Sequence, residues 1–143
     1  MKKKLILLIS CASNKVHTIK YIESVLSRFN TRSIIFVSDR NNNSIFKNFD
    51  YKFYKIPDLL DINKVKILKI CKKKKIDIVI PTSDLELLFW SKHKVEFKDN
   101  KIYPMISDHQ TISICQDKWL FYKLLQENKI KTPKSFLFLK NII

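Results

Sequence analysis

Short apolar runs alternate with longer segments of helical periodicity along the chain. Five of the runs predict β-strands: 4–10 (KLILLIS), 33–39 (SIIFVSD), 51–57 (YKFYKIP), 76–81 (IDIVIP) and 101–107 (KIYPMIS). Apolar runs of this length are typical of strands in a parallel sheet that is covered on both faces. The lysines of the third run and Pro104 in the fifth favour edge positions for those two strands, whereas the fourth is predicted to lie centrally.

Apolar residues at helical spacing predict helices between and after these strands. The helices follow Asn14, span 62–74, follow Ser83 toward Val95, span 111–115 and begin at Asp117 and Lys118. The residues predicted to face inward are Val16, Ile19, Ile22, Leu26, Val65, Leu68, Ile70, Cys71, Leu120, Leu124 and Leu125. Asn14 is predicted to cap the first helix, and SDLE at 83–86 has the pattern of a capping box.

Strands that alternate with crossover helices define an α/β fold class. We expect a doubly wound, mainly parallel five-stranded sheet with helices on both faces, followed by a C-terminal helix and an extended tail. Ligands of such sheets bind beyond the carboxyl ends of the strands, where the strand order reverses. We call this edge the crest, and in this chain it comprises residues 10–14, 38–40 and 81–84.

Glycine is absent from the chain. Neither the glycine-rich dinucleotide fingerprint nor the glycine-rich phosphate loop is therefore present, because both need glycine for close approach of the backbone to phosphate. Helix ends and tight turns are expected to use asparagine, aspartate or serine, which tolerate left-handed conformations better than most residues.

The formal net charge is +15, and 28 of the 143 residues are lysine or arginine. A basic surface attracts nucleic acid, but here the charge is almost all lysine, and the only arginines are Arg28, Arg32 and Arg40. We therefore keep a basic nucleic-acid-binding protein only as the less favoured alternative. The three cysteines and three histidines lack metal-site spacing, so no metal site is predicted.

The beginning of the chain, MKKKLILLISCAS, resembles a lipoprotein export signal. Its apolar run from Leu5 to Ile9 is shorter than the roughly 7–15 residues that such a signal needs, so a buried first strand is the preferred interpretation. No run approaches the roughly 20 apolar residues of a membrane span. We expect a cytoplasmic protein without membrane contact.

Several polar residues at the crest and after it are candidates for chemistry. Asp39 stands where a dinucleotide fold places its ribose-binding acid, but without the glycine loop a turn-forming role is the preferred interpretation. Asp84 and Glu86 lie two positions apart on a helix and so point apart; Glu86 is accounted for by the capping box. Thr82 and Ser83 are placed to bind an anion at a helix N-terminus.

Lys118 occupies the first turn of the last helix. A cation there opposes the helix dipole unless an anion is held nearby. Because lysine is so abundant in this chain, chance placement and a phosphate contact both stay open at this point.

The segments DIVIPTSDLEL, ICQDKWLFYKLL and KTPKSF resemble the N-terminal, pre-ATP-grasp domain of carbamoyl phosphate synthase-like ATP-grasp ligases, a group that includes biotin carboxylase and the pyrrolysine-biosynthesis ligase. The resemblance implies a Rossmann-like pre-ATP-grasp domain at 1–130 and, at 131–143, the start of a link to an ATP-grasp domain. It implies that Lys118 contacts ATP phosphate. It also implies substrate-side loops, formed by Ser10, Cys11, Ala12, Ser13, Asp39, Thr82, Ser83 and Asp84.

Two departures from the family pattern matter. Lys129 stands where relatives have glycine, and the residues that clamp ATP and magnesium in the ATP-grasp domain do not occur in this sequence. The resemblance thus implies the substrate-side domain of a ligase that activates a carboxylate with ATP for attack by an amine. We expect it to be truncated or split and not catalytic alone, with ATP and magnesium bound only in a complete enzyme.

The partner is expected to be an ATP-grasp domain in trans, or a second copy paired through the C-terminal strand SFLFLKNII, and the substrate a small carboxylate. A non-catalytic α/β binding or interaction module is the alternative from another class.

Overall fold

Five parallel strands form one sheet in the order β3-β2-β1-β4-β5. In the computed structural model, which describes residues 4–12, 15–29, 32–41, 45–49 and 51–137, the strands are β1 Leu5–Ser10, β2 Ser33–Asp39, β3 Lys52–Lys55, β4 Ile78–Pro81 and β5 Tyr103–Pro104. Every pairing is parallel. The predicted α/β class, the five strands and both edge strands are confirmed.

The strand order reverses at β1. From β1 the chain proceeds outward through β2 to β3 and then returns to form β4 on the other side of β1. The register pairs Ile9 with both Val37 and Ile80, so β1, β2 and β4 end at the same level. Their carboxyl ends therefore form the point at which doubly wound folds bind ligands.

Six α-helices accompany the described strands: α1 Val16–Arg28, α2 Lys64–Lys73, α3 Asp84–Lys92, α4 Lys94–Asp99, α5 His109–Gln116 and α6 Lys118–Glu127. Short 3-10 helices cover Ile45–Asn48 and Asp61–Asn63. The side chain of Phe46, in the first of these two turns, is buried. Asn14, the predicted cap of α1, lies outside the described residues.

Two hydrophobic cores lie on opposite faces of the sheet, because alternate side chains of each strand point to opposite sides. On one face Leu7 and Ile9 pack with Ile19 of α1. On the other face Leu8 and Val79 pack with buried residues of α2, α3 and α4. This double cover explains why β1 and β2 appear in the sequence as continuous apolar runs.

The inward faces of two helices differ from the prediction. In α2 the buried residues are Ile67 and Cys71, whereas Val65 is exposed. In α6, Leu120 and Leu124 are exposed rather than buried. In a lysine-rich helix several overlapping apolar stripes fit the helical period, so spacing alone did not determine which stripe is buried.

Three helices end with a lysine in the left-handed conformation: Lys75, Lys101 and Lys129, with φ between 55° and 60°. In each case the lysine amide and the next amide, that of an isoleucine, bond back into the last turn, as in Ile76 to the Cys71 carbonyl at 2.9 Å. This is the Schellman arrangement, in which glycine is usual. The prediction that asparagine, aspartate or serine would fill these positions was wrong. The three lysine side chains are exposed to solvent. The isoleucine that follows is buried at Ile76 and Ile102 but exposed at Ile130.

The chain divides into two compact units, Met1–Ile106 and Ser107–Ile143. The first contains the sheet. In the second, Asp108 caps α5 by accepting from the Thr111 amide at 2.8 Å, and α6 follows directly. Residues 131–137 form neither helix nor strand; the remaining residues of the predicted C-terminal strand lie outside the described part. No helix in the described ranges is long and apolar enough to cross a membrane.

Candidate functional site

The loops that follow β1, β2 and β4 are tied to one another at the crest. The Thr82 hydroxyl donates to the carbonyl oxygens of Ser10 at 2.7 Å and Cys11 at 3.0 Å. The Ala12 amide donates to the Ser38 carbonyl at 3.1 Å. The three loops that the sequence assigned to the crest therefore meet, and the contacts between them span up to 72 residues of sequence.

Glu86 is the centre of this network, with a side chain that is 1% exposed. One carboxylate oxygen accepts from the backbone amides of Thr82 at 2.8 Å and Ser83 at 3.1 Å. The other accepts from the indole of Trp90 at 2.9 Å and from the hydroxyl of Ser10. Four donors thus satisfy a carboxylate that burial would otherwise make costly. Glu86 fixes the first turn of α3 against the end of β1.

The predicted capping box of Ser83 and Glu86 is confirmed. Its function extends beyond the helix, however, because the same carboxylate bonds to Ser10, 76 residues away. A capping box needs only the local contacts. Glu86 therefore connects the loops of the crest. The sequence did not indicate this role, because the capping box already accounted for its carboxylate.

A pocket of about 230 Å³ opens beside this network, within the first unit. We call it the crest pocket. Its lining residues are Cys11, Arg40, Asp58, Leu59, Leu60, Leu85 and Glu86. Three of the lining residues are aliphatic, and three carry charge. Arg40 and Asp58 approach each other to 3.4 Å, and both side chains are about half exposed, so the pair contributes about 0–1 kcal/mol to stability.

Cys11 lines the crest pocket and has a left-handed conformation, with φ 49°. Burial, reinforced by the charges of Glu86 and Asp39 and by a hydrogen bond to Glu86, raises the pKa of its thiol to about 12. At neutral pH the thiol is protonated. A protonated thiol is a weak hydrogen-bond donor and a poor nucleophile, so Cys11 is suited to contact a ligand and not to attack one.

The other candidate residues of the crest divide into interior and surface positions. Ser10 and Ala12 are fully buried and present no side-chain surface to a ligand. Asp39 is 7% exposed and accepts from the Asn41 amide at 2.9 Å, which is the turn-forming role considered from the sequence. Asp84 is exposed in the first turn of α3. Ser13 lies outside the described residues.

Lys118 is exposed at the start of α6. The carboxylate of Asp117 accepts from the amides of Trp119 at 2.9 Å and Leu120 at 3.0 Å. An N-cap carboxylate offsets the helix dipole at this end. The conflict between Lys118 and the dipole is thereby relieved within the chain, and the phosphate contact of Lys118 stays a prediction.

The crest pocket does not fit ATP with magnesium. A triphosphate needs several cations or a nest of free amides, whereas this pocket offers Arg40 opposite Asp58 and Glu86. In the described ranges, no group of three or more histidine, cysteine, aspartate or glutamate side chains is arranged to hold a metal ion.

Sequence reasoning missed most of the pocket lining: Arg40, Asp58, Leu59, Leu60 and Leu85. Arg40 carried a usable signal, because it is one of three arginines and directly follows β2. Asp58, Leu59 and Leu60 follow β3 in a connection that has no motif. Only the strand order brings them beside Cys11.

The sheet order defines a Rossmann-like α/β domain, with the crest pocket at the reversal of its strand order. Residues 6–106 match the family model of the PylC-like N-terminal domain. The chain belongs to this family. The resemblance to the N-terminal domain of ATP-grasp ligases is thus confirmed.

A solved structure, the biotin carboxylase domain of a single-chain bacterial carboxylase, is similar to this chain with a TM-score of 0.60 and 14% sequence identity. The match covers 96% of this chain and 32% of that one, so the chain spans about a third of the matched protein's length. At this identity the likeness concerns the fold. A comparison with curated proteins gives no significant match.

Proposed function

We propose that this chain is the substrate-side domain of an ATP-grasp ligase that joins a small carboxylate to an amine, and that it is not catalytic alone. The observation that carries the proposal is the family match over 6–106, which covers the sheet except Leu5 and all residues of the crest pocket. The fold shared with a biotin carboxylase domain supports it. The complete enzyme would use cytoplasmic ATP.

The charge of the crest pocket supports binding of the substrate and of ATP by different domains. Phosphoryl transfer depends on cations and metal ions placed around the phosphates, and the pocket supplies Arg40 against two carboxylates. ATP and magnesium would therefore bind mainly to an ATP-grasp domain, either on a partner chain or joined to this one. The crest would hold a substrate that carries no phosphate.

Lys118 is the residue through which this chain would contact the nucleotide. It is exposed, and its position opposite the dipole of α6 is tolerated because Asp117 caps that helix. In the complex we propose that the Lys118 ammonium contacts an ATP phosphate. A point charge on a flexible stem is suited to such a contact.

The test is activity of the chain reconstituted with its ATP-grasp domain. Lys118→Ala is expected to raise the KM for ATP by about tenfold to a hundredfold, since loss of one charge-assisted contact to phosphate costs about 1.5–3 kcal/mol. Lys131→Ala, which removes an exposed lysine from the same unit, is the matched control and should leave KM unchanged. Equal changes in the KM for ATP in the two variants would show that Lys118 does not contact the nucleotide.

The isolated chain provides the second test. Calorimetry with ATP and magnesium should give no binding in the micromolar range. A micromolar dissociation constant, or ATP turnover by the isolated chain, would overturn the proposal that it is not catalytic alone.

A non-catalytic binding module is the second candidate, and one observation favours it. All lining residues of the crest pocket belong to the first unit, so a ligand could bind without any further domain. Ligand binding that is unchanged by an ATP-grasp domain, with no ligation on reconstitution, would favour this candidate.

A further inference from the structure

We infer that the crest pocket binds a small aliphatic amine in its protonated form. Its ammonium group would lie at Asp58, and its alkyl chain would lie against Leu59, Leu60 and Leu85. The inference rests on the proposed function only where it names this amine as the ligase's acceptor substrate. The binding itself requires no other domain.

The net charge of the pocket lining is opposite in sign to the net charge of the protein. The chain carries +15, yet the crest pocket is lined by two carboxylates, Asp58 and Glu86, and one guanidinium, Arg40. Asp39 ends β2, and Asp84 comes after β4, at the same end of the sheet. In a chain with 28 basic and 13 acidic residues, this local reversal of sign favours a cationic ligand.

The thiol of Cys11 gives an independent indication of the field inside the pocket. Besides burial, the charges of Glu86 and Asp39 raise its pKa, and Arg40 opposes them with a weaker effect. The combined effect of these three charges at the Cys11 thiol is therefore that of a negative charge. A negative potential that disfavours a thiolate favours an ammonium group.

The two carboxylates of the pocket have different capacities. Glu86 already accepts from two amides, one indole and one hydroxyl, and the Cys11 thiol also bonds to it, so the four lone-pair positions of this carboxylate are all in use. Asp58 contacts Arg40 at 3.4 Å, well beyond the roughly 2.7–2.9 Å of a strong charge-assisted bond. Its side chain is 59% exposed. Asp58 is consequently the carboxylate with capacity for a ligand.

The aliphatic lining residues determine the rest of the ligand. Leu59 is buried, whereas Leu60 and Leu85 are exposed at the pocket. An alkyl chain that covers such side chains gains about 25 cal/mol per Å² of apolar surface removed from water. The volume of about 230 Å³ lies below the roughly 300–1,000 Å³ of pockets for drug-sized ligands, so the amine must be small.

The test compares three probes of the same length: butylammonium, butyrate and 1-butanol. Each is titrated into the full chain, and binding is followed by the amide NMR signals. Butylammonium is expected to bind about tenfold or more tightly than butyrate, with shifts at Cys11, Arg40 and Leu85. Because the chain is strongly basic, nonspecific attraction would favour butyrate, so the expected order cannot arise from net charge.

Asp58→Asn keeps the shape of the side chain and removes its charge. It is expected to abolish the preference for butylammonium over butyrate. The matched control is Asp99→Asn, an exposed aspartate at the end of α4 that is not among the lining residues of the pocket; it should leave both affinities unchanged.

Three results would overturn the inference: butyrate binding as tightly as butylammonium, no shift at the crest with butylammonium, or an unchanged preference in Asp58→Asn. Its failure is distinguishable from failure of the proposed function. Amine binding needs only this chain, whereas the Lys118 experiment needs ATP and the reconstituted ligase.

Discussion

Helices α3 and α6 begin in a similar way but in different surroundings. Each follows a polar N-cap residue, Ser83 or Asp117, and in each a carboxylate accepts from two backbone amides near the helix start. At α3 the carboxylate is that of Glu86, which is buried and bonded to Ser10 of β1. At α6 it is that of Asp117, which is exposed and makes local contacts.

A capping pattern in the sequence identifies where a helix begins. It does not show how much the capping carboxylate contributes to the stability of the fold. Exposed caps contribute about 1 kcal/mol, whereas a buried carboxylate with four donors holds several elements at once. The sequence drew attention to Lys118 at α6 because its charge conflicts with the dipole. The structure shows the more consequential residue, Glu86, at α3.

Replacement of Glu86 should have the largest effect. Glu86→Ala leaves two amides, the Trp90 indole and the Ser10 hydroxyl without their acceptor, and we expect a loss of about 3 kcal/mol or more in the free energy of unfolding. Urea denaturation followed by tryptophan fluorescence measures it. A loss below about 1 kcal/mol would place Glu86 in the same category as an exposed cap.

Reactivity of the cysteines should distinguish the crest from α5. The pKa of Cys11 is raised to about 12, whereas Cys115 is exposed. At pH 8 we expect iodoacetamide to modify Cys11 roughly a hundredfold or more slowly than Cys115, because the thiolate is the reacting species. Mass spectrometry of the modified peptides gives both rates in one sample. Equal rates would show that the crest does not suppress the thiolate.

The same pKa shift makes a pH prediction for stability. The folded state holds the Cys11 proton more tightly than the unfolded chain, whose thiol has a pKa of about 8.5. The contribution of this group to stability is therefore complete below that value and is lost as the pH rises toward about 12. In Cys11→Ser the loss of stability above about pH 9 should be smaller than in the unmodified chain, as urea denaturation at several pH values would show.

Removal of the exposed cap should have a moderate and local effect. Asp117→Ala is expected to cost about 1 kcal/mol, limited to the start of α6. Hydrogen exchange at the amides of Trp119 and Leu120 measures it, since these two lose their acceptor. If the effect spread to the strands of the sheet, the distinction between the two helix starts would be lost.

Glycine substitution at the helix ends should have the smallest effect and the opposite sign. Lys75→Gly removes the cost of a left-handed conformation for a residue with Cβ, and we expect a gain of about 0.5–1 kcal/mol in the free energy of unfolding. The control is Lys69→Gly in the middle of α2, which should lose about 1 kcal/mol. Destabilisation by both variants would mean that the Lys75 side chain contributes contacts of its own.

Much of the fold was predictable from the sequence because its signals are local. Apolar runs located the five strands, and the lysines of β3 and Pro104 of β5 marked the edges. The crest was predictable as well, since in a parallel sheet the loops after the strands must meet at one end. Thr82, Ser10 and Cys11 are in contact there, as their positions implied.

The pocket lining was not predictable, because it depends on contacts between distant parts of the chain. The capping box already accounted for Glu86. Asp58 belongs to no sequence motif, and it reaches the pocket only because β3 lies beside β2 in the sheet. The left-handed lysines were missed for a compositional reason. In a chain without glycine the most abundant residue occupies solvent-exposed helix ends, and its type then carries no conformational signal.

The central claim is that the crest holds a substrate while the nucleotide belongs to another domain. The most direct measurement is a map of amide NMR shifts of the full chain, recorded separately with butylammonium and with ATP and magnesium. The account predicts shifts at Cys11, Arg40 and Leu85 with the amine and none at these residues with ATP. Shifts at these same residues with ATP, saturating in the micromolar range, would contradict it.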